Sequence, residues 1–227
     1  MYSIAIDGPA GAGKSTIARE VSKKLGYIYI DTGAMYRAMA LYFVDRGLDY
    51  QREETVASHL DDIELTLLYE RGMQKIYLKG RDVSSEIRRE DVGNAASTIS
   101  QFESVRAKLT RIQRNLAAAG DVVMDGRDIG TCVLPHADLK IYLTASVSVR
   151  AMRRYRELLE KDSDLDLDLF QIEQEIEERD YRDMHRKHCP LKQAEDAVLI
   201  NSSHLTLEEV VTKILELKNR EKEWKLF

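Results

Sequence analysis

The 227 residues are 44% hydrophobic and 32% charged, with a formal net charge of -5, the balance of a globular chain with one large domain or one domain carrying a sizeable insertion. A net-acidic chain argues against a general nucleic-acid binder, which shows a basic footprint, and two cysteines outside any CxxC pair, Cys132 and Cys189, are too few for a disulfide framework and fit a reducing cytosol. No basic region precedes an apolar run at the N-terminus and no stretch approaches the roughly 20 apolar residues of a membrane span, so the expectation is a cytoplasmic protein with neither signal peptide nor membrane segment.

In chain order, residues 4–6 predict a short buried strand, 8–13 a glycine-rich turn and 14–25 a helix that Gly26 ends. A second strand follows at 27–30. Strand, helix and strand within so few residues make a βαβ unit, which favours a parallel sheet covered by helices. A helix is predicted from Gly33 to about Arg46, where Met35, Met39, Tyr42 and Phe43 form a core stripe. Residues 64–69 and 75–79, separated by Arg71-Gly72, read as a hairpin in an inserted subdomain. A helix over 103–119 stops at Gly120. Strands at 122–124, 139–143 and 197–200 complete five core strands, with charged helices at 147–160 and 169–185. The last helix opens on the capping box Thr206-x-x-Glu209, and its charged tail, 218–225, is expected to fray.

The strongest chemical signal is Gly8-Pro9-Ala10-Gly11-Ala12-Gly13-Lys14-Ser15, which matches G-x-x-x-x-G-K-[ST] between a predicted strand and a predicted helix, the context the motif requires. Glycines let backbone N–H groups approach phosphate oxygens, and the helix N-terminus adds partial positive charge. Lys14 is expected to reach the β- and γ-phosphates of ATP and the Ser15 hydroxyl to ligate Mg2+. No N-K-x-D guanine signature occurs, and the apolar run into Asp125 lacks the following glutamate of motor-type ATPases. Transfer to a small acceptor remains, where arginines neutralise two sets of phosphates.

Arg179, Arg182 and Arg186 share one face of a predicted helix, with Asp180 and Asp183 interleaved. A solvated, salt-bridged helix explains that run equally well when it is taken alone. Arg150, Arg153, Arg154 and Arg156 precede it across the acidic stretch 162–168. Helix, polar loop and arginine-rich helix suit a lid that closes over phosphates. The alternation Asp162, Asp164, Asp166, Asp168 mimics calcium-loop spacing, but Leu167 stands where that loop needs glycine, so a solvated loop is the better reading. His185, His188 and Cys189 lack a fourth zinc ligand and are read as structural.

The chain resembles bacterial cytidylate (CMP) kinases over nearly its whole length. The resemblance rests on Ile6-Asp7-Gly8-Pro9 running into Gly11-Ala12-Gly13-Lys14-Ser15-Thr16, on Asp31-Thr32-Gly33-Ala34-Met35-Tyr36-Arg37, and on Asn94-Ala95-Ala96-Ser97. It continues through Val105-Arg106, Asp125-Gly126-Arg127-Asp128-Ile129-Gly130-Thr131 and Glu178-Arg179-Asp180 to Arg186. It implies an α/β P-loop nucleoside monophosphate kinase fold: a parallel five-stranded sheet flanked by helices, an inserted β-containing NMP-binding subdomain and a helical lid. The implied divisions are a core of about 1–37, 92–150 and 186–227, an NMP-binding insert of about 38–91 and a lid of about 151–185.

The activity so implied is phosphorylation of CMP and dCMP by ATP with Mg2+, in a monomer that binds neither nucleic-acid polymers nor membranes. A kinase of another small acceptor, or a non-catalytic ATP-dependent regulator, are the alternatives. The resemblance puts Gly8, Pro9, Ala10, Gly11, Ala12, Gly13, Lys14, Ser15 and Thr16 around ATP. It puts Thr32, Tyr36, Arg37, Ser97, Arg106, Arg127, Asp128, Arg179, Asp183 and Arg186 around the acceptor. Thr32 departs from the serine frequent in the family but keeps its hydroxyl. Read from sequence alone, Arg106 would be a helix-surface residue. Lys14, Arg127, Arg154, Arg179, Arg182 and Arg186 are the expected catalytic cations. The acceptor phosphate is already anionic, so no general base is needed.

Overall fold

The computed structural model describes residues 1–70, 73–163 and 165–224. The hairpin turn at Arg71-Gly72, Asp164 and Lys225 lie outside the described residues. Five strands form one sheet in the order β2-β6-β1-β7-β8, and three form a second sheet in the order β3-β4-β5. The chain divides into two compact units, residues 28–122 and residues 2–27 with 123 onward.

The second unit carries β1 (Ser3–Asp7), α1 (Lys14–Leu25), β6 (Val122–Gly126), β7 (Leu139–Thr144), α6 (Val147–Lys161), α7 (Leu169–His185), β8 (Val198–Asn201) and α8 (Leu207–Trp224). β1 pairs parallel with β7, Ile6 opposite Ile141, and β7 pairs parallel with β8, Leu143 opposite Ile200. Every residue of β6 is buried, which is why it reads as an unbroken apolar run rather than an alternation. α1 buries Ile17, Ala18 and Val21 along one stripe and ends at Gly26, whose φ of 70° is left-handed. There the Tyr27 N–H reaches back to the Ser22 carbonyl at 2.9 Å and satisfies a helix-end acceptor.

α6 opens on the Ser146 hydroxyl, which accepts the Val149 N–H, and α7 on the Asp168 carboxylate, which accepts the Phe170 N–H. Asp168 of the acidic stretch is thus a helix cap. Ala151, Ile172 and Ile176 form the buried seam between α6 and α7, flanked by Val147, Tyr155 and Leu158. The predicted capping box of α8 is present in full. Thr206 N–H donates to Glu209 Oε2 at 2.8 Å, and Glu209 N–H donates to Thr206 Oγ1 at 3.3 Å.

The first unit holds β2 (Ile28–Asp31), α2 (Thr32–Asp45), α3 (Glu53–Ser58), β3 (Leu65–Glu70), β4 (Met73–Leu78), β5 (Arg81–Asp82), α4 (Glu90–Ile99) and α5 (Glu103–Ala117). β3 and β4 form the expected antiparallel hairpin, Leu67 opposite Ile76. Three of these elements, α3, α4 and β5, are absent from the sequence reading. α4 contains Gly93, Asn94, Ser97 and Thr98, poor helix formers by intrinsic propensity. It is helical because Val92, Ala95, Ala96 and Ile99 are buried on one face, which packs against α2. Tertiary burial overrides propensity there.

Candidate active site

Residues 8–13 connect β1 to α1 through backbone that favours glycine at three points, Gly8, Gly11 and Gly13. Gly8 has φ +149°, and a Cβ there would stand 1.9 Å from the Leu143 carbonyl oxygen. Gly13, at φ 90°, caps the start of α1. Two anchors fix the loop. The Asp180 carboxylate of α7 accepts the Ala10 N–H at 3.1 Å, and Arg150 Nη1 of α6 donates to the Ala10 carbonyl at 2.9 Å and to Asp180 at 2.5 Å. Arg153 donates to the Ser202 carbonyl at 2.8 Å just beyond β8. Arg150 and Arg153, read from the sequence as lid arginines, are tied to the loop and to the strand end. The corrected role of Arg150 is bracing, because a buried guanidinium needs fixed acceptors.

Lys14 is buried, with its ammonium folded onto the Pro9 carbonyl at 2.6 Å. Burial, then the charges of Arg127 and Arg179, pull its pKa well below the ordinary lysine value, while Asp125 and Asp183 oppose them. A concentration of cations around a buried amine is an electrostatic invitation to a polyanion. Ser15 Oγ, at the start of α1, donates to Asp125 Oδ2 at the end of β6, 2.8 Å away. Two adjacent hard oxygen donors at a phosphate loop fit Mg2+.

After β6 the chain enters a π-helical turn, Ile129–Val133. Asp7, the last residue of β1, accepts the Ile129 N–H at 2.8 Å and the Gly130 N–H at 2.7 Å. Burial outweighs those two hydrogen bonds and raises the Asp7 pKa to about 6. Just before the turn, Arg127 Nε donates to Asp183 Oδ2 at 2.9 Å, and Arg186 Nη2 donates to Asp128 Oδ1 at 2.9 Å. Arg186 also stands 3.9 Å from Asp183. Burial pushes the Asp183 carboxyl up, but Arg127, Arg179 and Arg186 together hold it below the ordinary carboxylate range. Arg127 and Arg186 are thereby each fixed by a carboxylate, the preorganisation that charge stabilisation needs.

Arg154 and Arg182 are placed differently. Arg154 pairs with Glu157 one turn along α6 at 3.1 Å, with both side chains well exposed. Arg182 is exposed, its Nε on the Glu178 carbonyl at 3.4 Å. Among the described residues, no hydrogen bond or ion pair ties either to Lys14, Arg127 or Arg186. His185 stacks on Tyr181 with ring centroids 4.0 Å apart. Cys189 is joined to Cys132 in a disulfide, which corrects the reading of two unrelated thiols. Fifty-seven residues of sequence separate them, but the π turn and the segment after α7 converge.

In the first unit, Asp31 caps α2 by accepting the Ala34 N–H at 2.7 Å and pairs with Arg37 at 3.3 Å. Arg37 Nε is buried without a hydrogen-bond partner, a donor suited to an anion. Thr32 is buried in the first turn of α2, and Tyr36 lies one turn further on. Its ring centroid is 5.8 Å from Arg106 Cζ. Arg106 is only 4% exposed, a correction to the surface position suggested by sequence: α5 turns that face inward, and Arg106 Nη1 donates to the Ser100 carbonyl at 3.2 Å. Ser97, on α4, is half-buried.

A family model described as cytidylate kinase matches residues 4–220. The chain belongs to the cytidylate kinase family. A cytidylate kinase of Caldicellulosiruptor saccharolyticus is 49% identical over 215 residues, 95% of this chain and 94% of that one. One of Lactobacillus johnsonii is 48% identical over 217 residues, covering 96% and 94%. Among solved structures, a gluconokinase from Sinorhizobium meliloti 1021 overlays with a TM-score of 0.51 at 15% identity, covering 99% of this chain and 96% of that one. That distant likeness speaks for the fold alone: a parallel five-stranded sheet flanked by helices, with an added antiparallel sheet.

For a cytidylate kinase-family chain, sequence reasoning overlooked Asp7, Asp125 and Asp180 as site residues. Asp125 carried a signal, an apolar strand ending in aspartate. Asp7 and Asp180 carried none, because their partners are backbone amides distant in sequence.

Proposed function

We propose that this chain transfers the γ-phosphoryl group of ATP directly to CMP and dCMP, giving CDP and dCDP for pyrimidine nucleotide metabolism, as a cytoplasmic monomer. The observation that carries the reading is the pair of carboxylate-braced arginines, Arg127 on Asp183 and Arg186 on Asp128, with Arg127 also acting on a buried Lys14, in a chain of this family. In the transfer, an oxygen of the acceptor phosphate bonds to the γ-phosphorus, the bond to the bridging oxygen breaks, and ADP leaves. Catalysis is then alignment and charge neutralisation rather than proton transfer.

On this reading Gly8–Thr16 cradle ATP through backbone amides and Lys14. Ser15, with Asp125 beside it, would hold Mg2+, which would supply charge neutralisation at the ATP phosphates. Arg127, Arg179 and Arg186 grip phosphate, since a guanidinium fork binds it bidentately as lysine does not. Thr32, Tyr36, Arg37, Ser97, Arg106, Asp128 and Asp183 serve the acceptor nucleotide, with Ser97 and Arg106 donating to cytosine O2 and N3. Arg154 and Arg182 join the catalytic cations when the lid, about 151–185, closes over the phosphates.

An ADP-release assay across CMP, dCMP, UMP, AMP and GMP tests the proposal. The cytosine nucleotides should turn over fastest. Preference for a purine acceptor would replace the reading, and tight ATP binding without acceptor-dependent turnover would make the chain a regulator.

A further inference from the structure

Cys132 and Cys189 close a ring around the Arg186–Asp128 pair. The Cys132 N–H donates to the Asp128 carbonyl at 2.8 Å. Arg186 Nε donates to the Cys189 carbonyl at 2.8 Å, and Arg186 Nη2 donates to Asp128 Oδ1 at 2.9 Å. The disulfide is the fourth side of this ring, linking two segments otherwise tied by hydrogen bonds and one ion pair. The segment after α7 is fixed further by the Leu191 N–H on the Asp183 carbonyl at 2.8 Å. Cys189 sits in the left-handed region at φ 48°, uncommon for a non-glycine residue. Both cysteines are half-buried rather than sealed, so an exchanging thiol has access to the bond.

We propose that Cys132 and Cys189 form a reversible thiol-exchange site that sets the grip of Arg186 on phosphate, a step that rests on the phosphate-binding role of Arg186 proposed above. The exchange partner is a low-molecular-weight disulfide such as oxidised glutathione. One cysteine, as thiolate, attacks it; the small S–S bond breaks and one small thiolate leaves, taking up the proton that the cysteine gave up. The second cysteine then attacks the mixed disulfide and releases the second small thiol. Two protein thiols and one small disulfide become one protein disulfide and two small thiols, with no other oxidant. Oxidation holds the Arg186 guanidinium in place before substrate arrives. In the dithiol form that ordering falls to the binding event.

The test measures KM for CMP, KM for ATP and kcat in glutathione buffers of graded redox ratio, with intact mass reporting the loss of two hydrogens on oxidation. The oxidised enzyme should have a KM for CMP about 3- to 10-fold below the reduced one, the scale of ordering one arginine side chain, with KM for ATP unchanged. Cys132→Ser and Cys189→Ser should each match the reduced enzyme and ignore the redox ratio. Reduced wild-type enzyme alkylated at both thiols checks the same point without substitution. Equal KM values for CMP in the two redox states, or no loss of two hydrogens at any ratio, would overturn the proposal. Absence of CMP turnover in both forms would instead overturn the assigned reaction.

Discussion

Replacing Asp180 by alanine removes a carboxylate that three elements share. One oxygen accepts the Ala10 N–H of the phosphate loop at 3.1 Å, and the other accepts Arg150 Nη1 of α6 at 2.5 Å. Asp180 is 6% exposed and Arg150 4%, so the substitution leaves a guanidinium buried without its counter-charge. Breaking a buried pair from one side costs about 3–5 kcal/mol. Arg150 keeps the Ala145 and Ala10 carbonyls as acceptors, each at 2.9 Å, which places the loss near the lower figure. For a chain of this size the thermal midpoint should fall by about 6–12 °C.

Urea unfolding of the wild type, Asp180→Ala, Arg150→Met and the double variant gives the coupling directly. The double variant should regain about 2 kcal/mol relative to the sum of the singles, because neither charge is then stranded. Asp180→Ala should also weaken ATP binding, since the Ala10 amide loses the acceptor that orients it. A single-variant cost below about 1 kcal/mol, or strict additivity at constant denaturant slope, would refute the idea that this pair braces the loop.

Gly8→Ala should abolish ATP binding or soluble expression, because the new Cβ would stand 1.9 Å from the Leu143 carbonyl oxygen at φ +149°; circular dichroism and nucleotide titration read this. Lys14→Ala and Arg186→Ala should each lower kcat by at least about 100-fold with the fold intact, and near-normal turnover in folded Arg186→Ala would remove that residue from the mechanism. Asp7, raised to about 6 from 3.8, binds its proton more tightly folded than unfolded. Its stabilising contribution is therefore complete below about pH 4 and lost as pH rises through about 6, on the order of 3 kcal/mol. Asp7→Asn should lack that slope in urea midpoints measured across the window, whatever its absolute stability.

Much of this molecule is legible from residue order alone, for identifiable reasons. The helix over 14–25 was bounded by a glycine-rich entry and the left-handed Gly26. The box Thr206–Glu209 declares a helix start by chemistry confined to four residues. Such local signals survive without tertiary knowledge. α4 does not, because its helicity depends on a face buried against α2. Arg106 looked like a solvent-facing residue because a charged side chain in an amphipathic helix gives no hint that its turn faces inward. The arginine run 179–186 reads equally as a solvated face or a site, and nothing in residue order shows that Arg186 and Arg127 are tied to Asp128 and Asp183. Arg150 and Asp180 read as members of charge runs, and only the approach of the loop to both helices makes them braces.

The two amides bound by Asp7 give the strand end a second office. Its backbone leads into the ATP cradle, while its side chain holds the turn that follows Arg127 and Asp128. The glycine-rich loop and the π-helical turn thus share one residue as their anchor, like two levers on a common fulcrum. If ATP shifts the affinity for acceptor through this residue, thermodynamic linkage requires the acceptor to shift the affinity for ATP by the same factor.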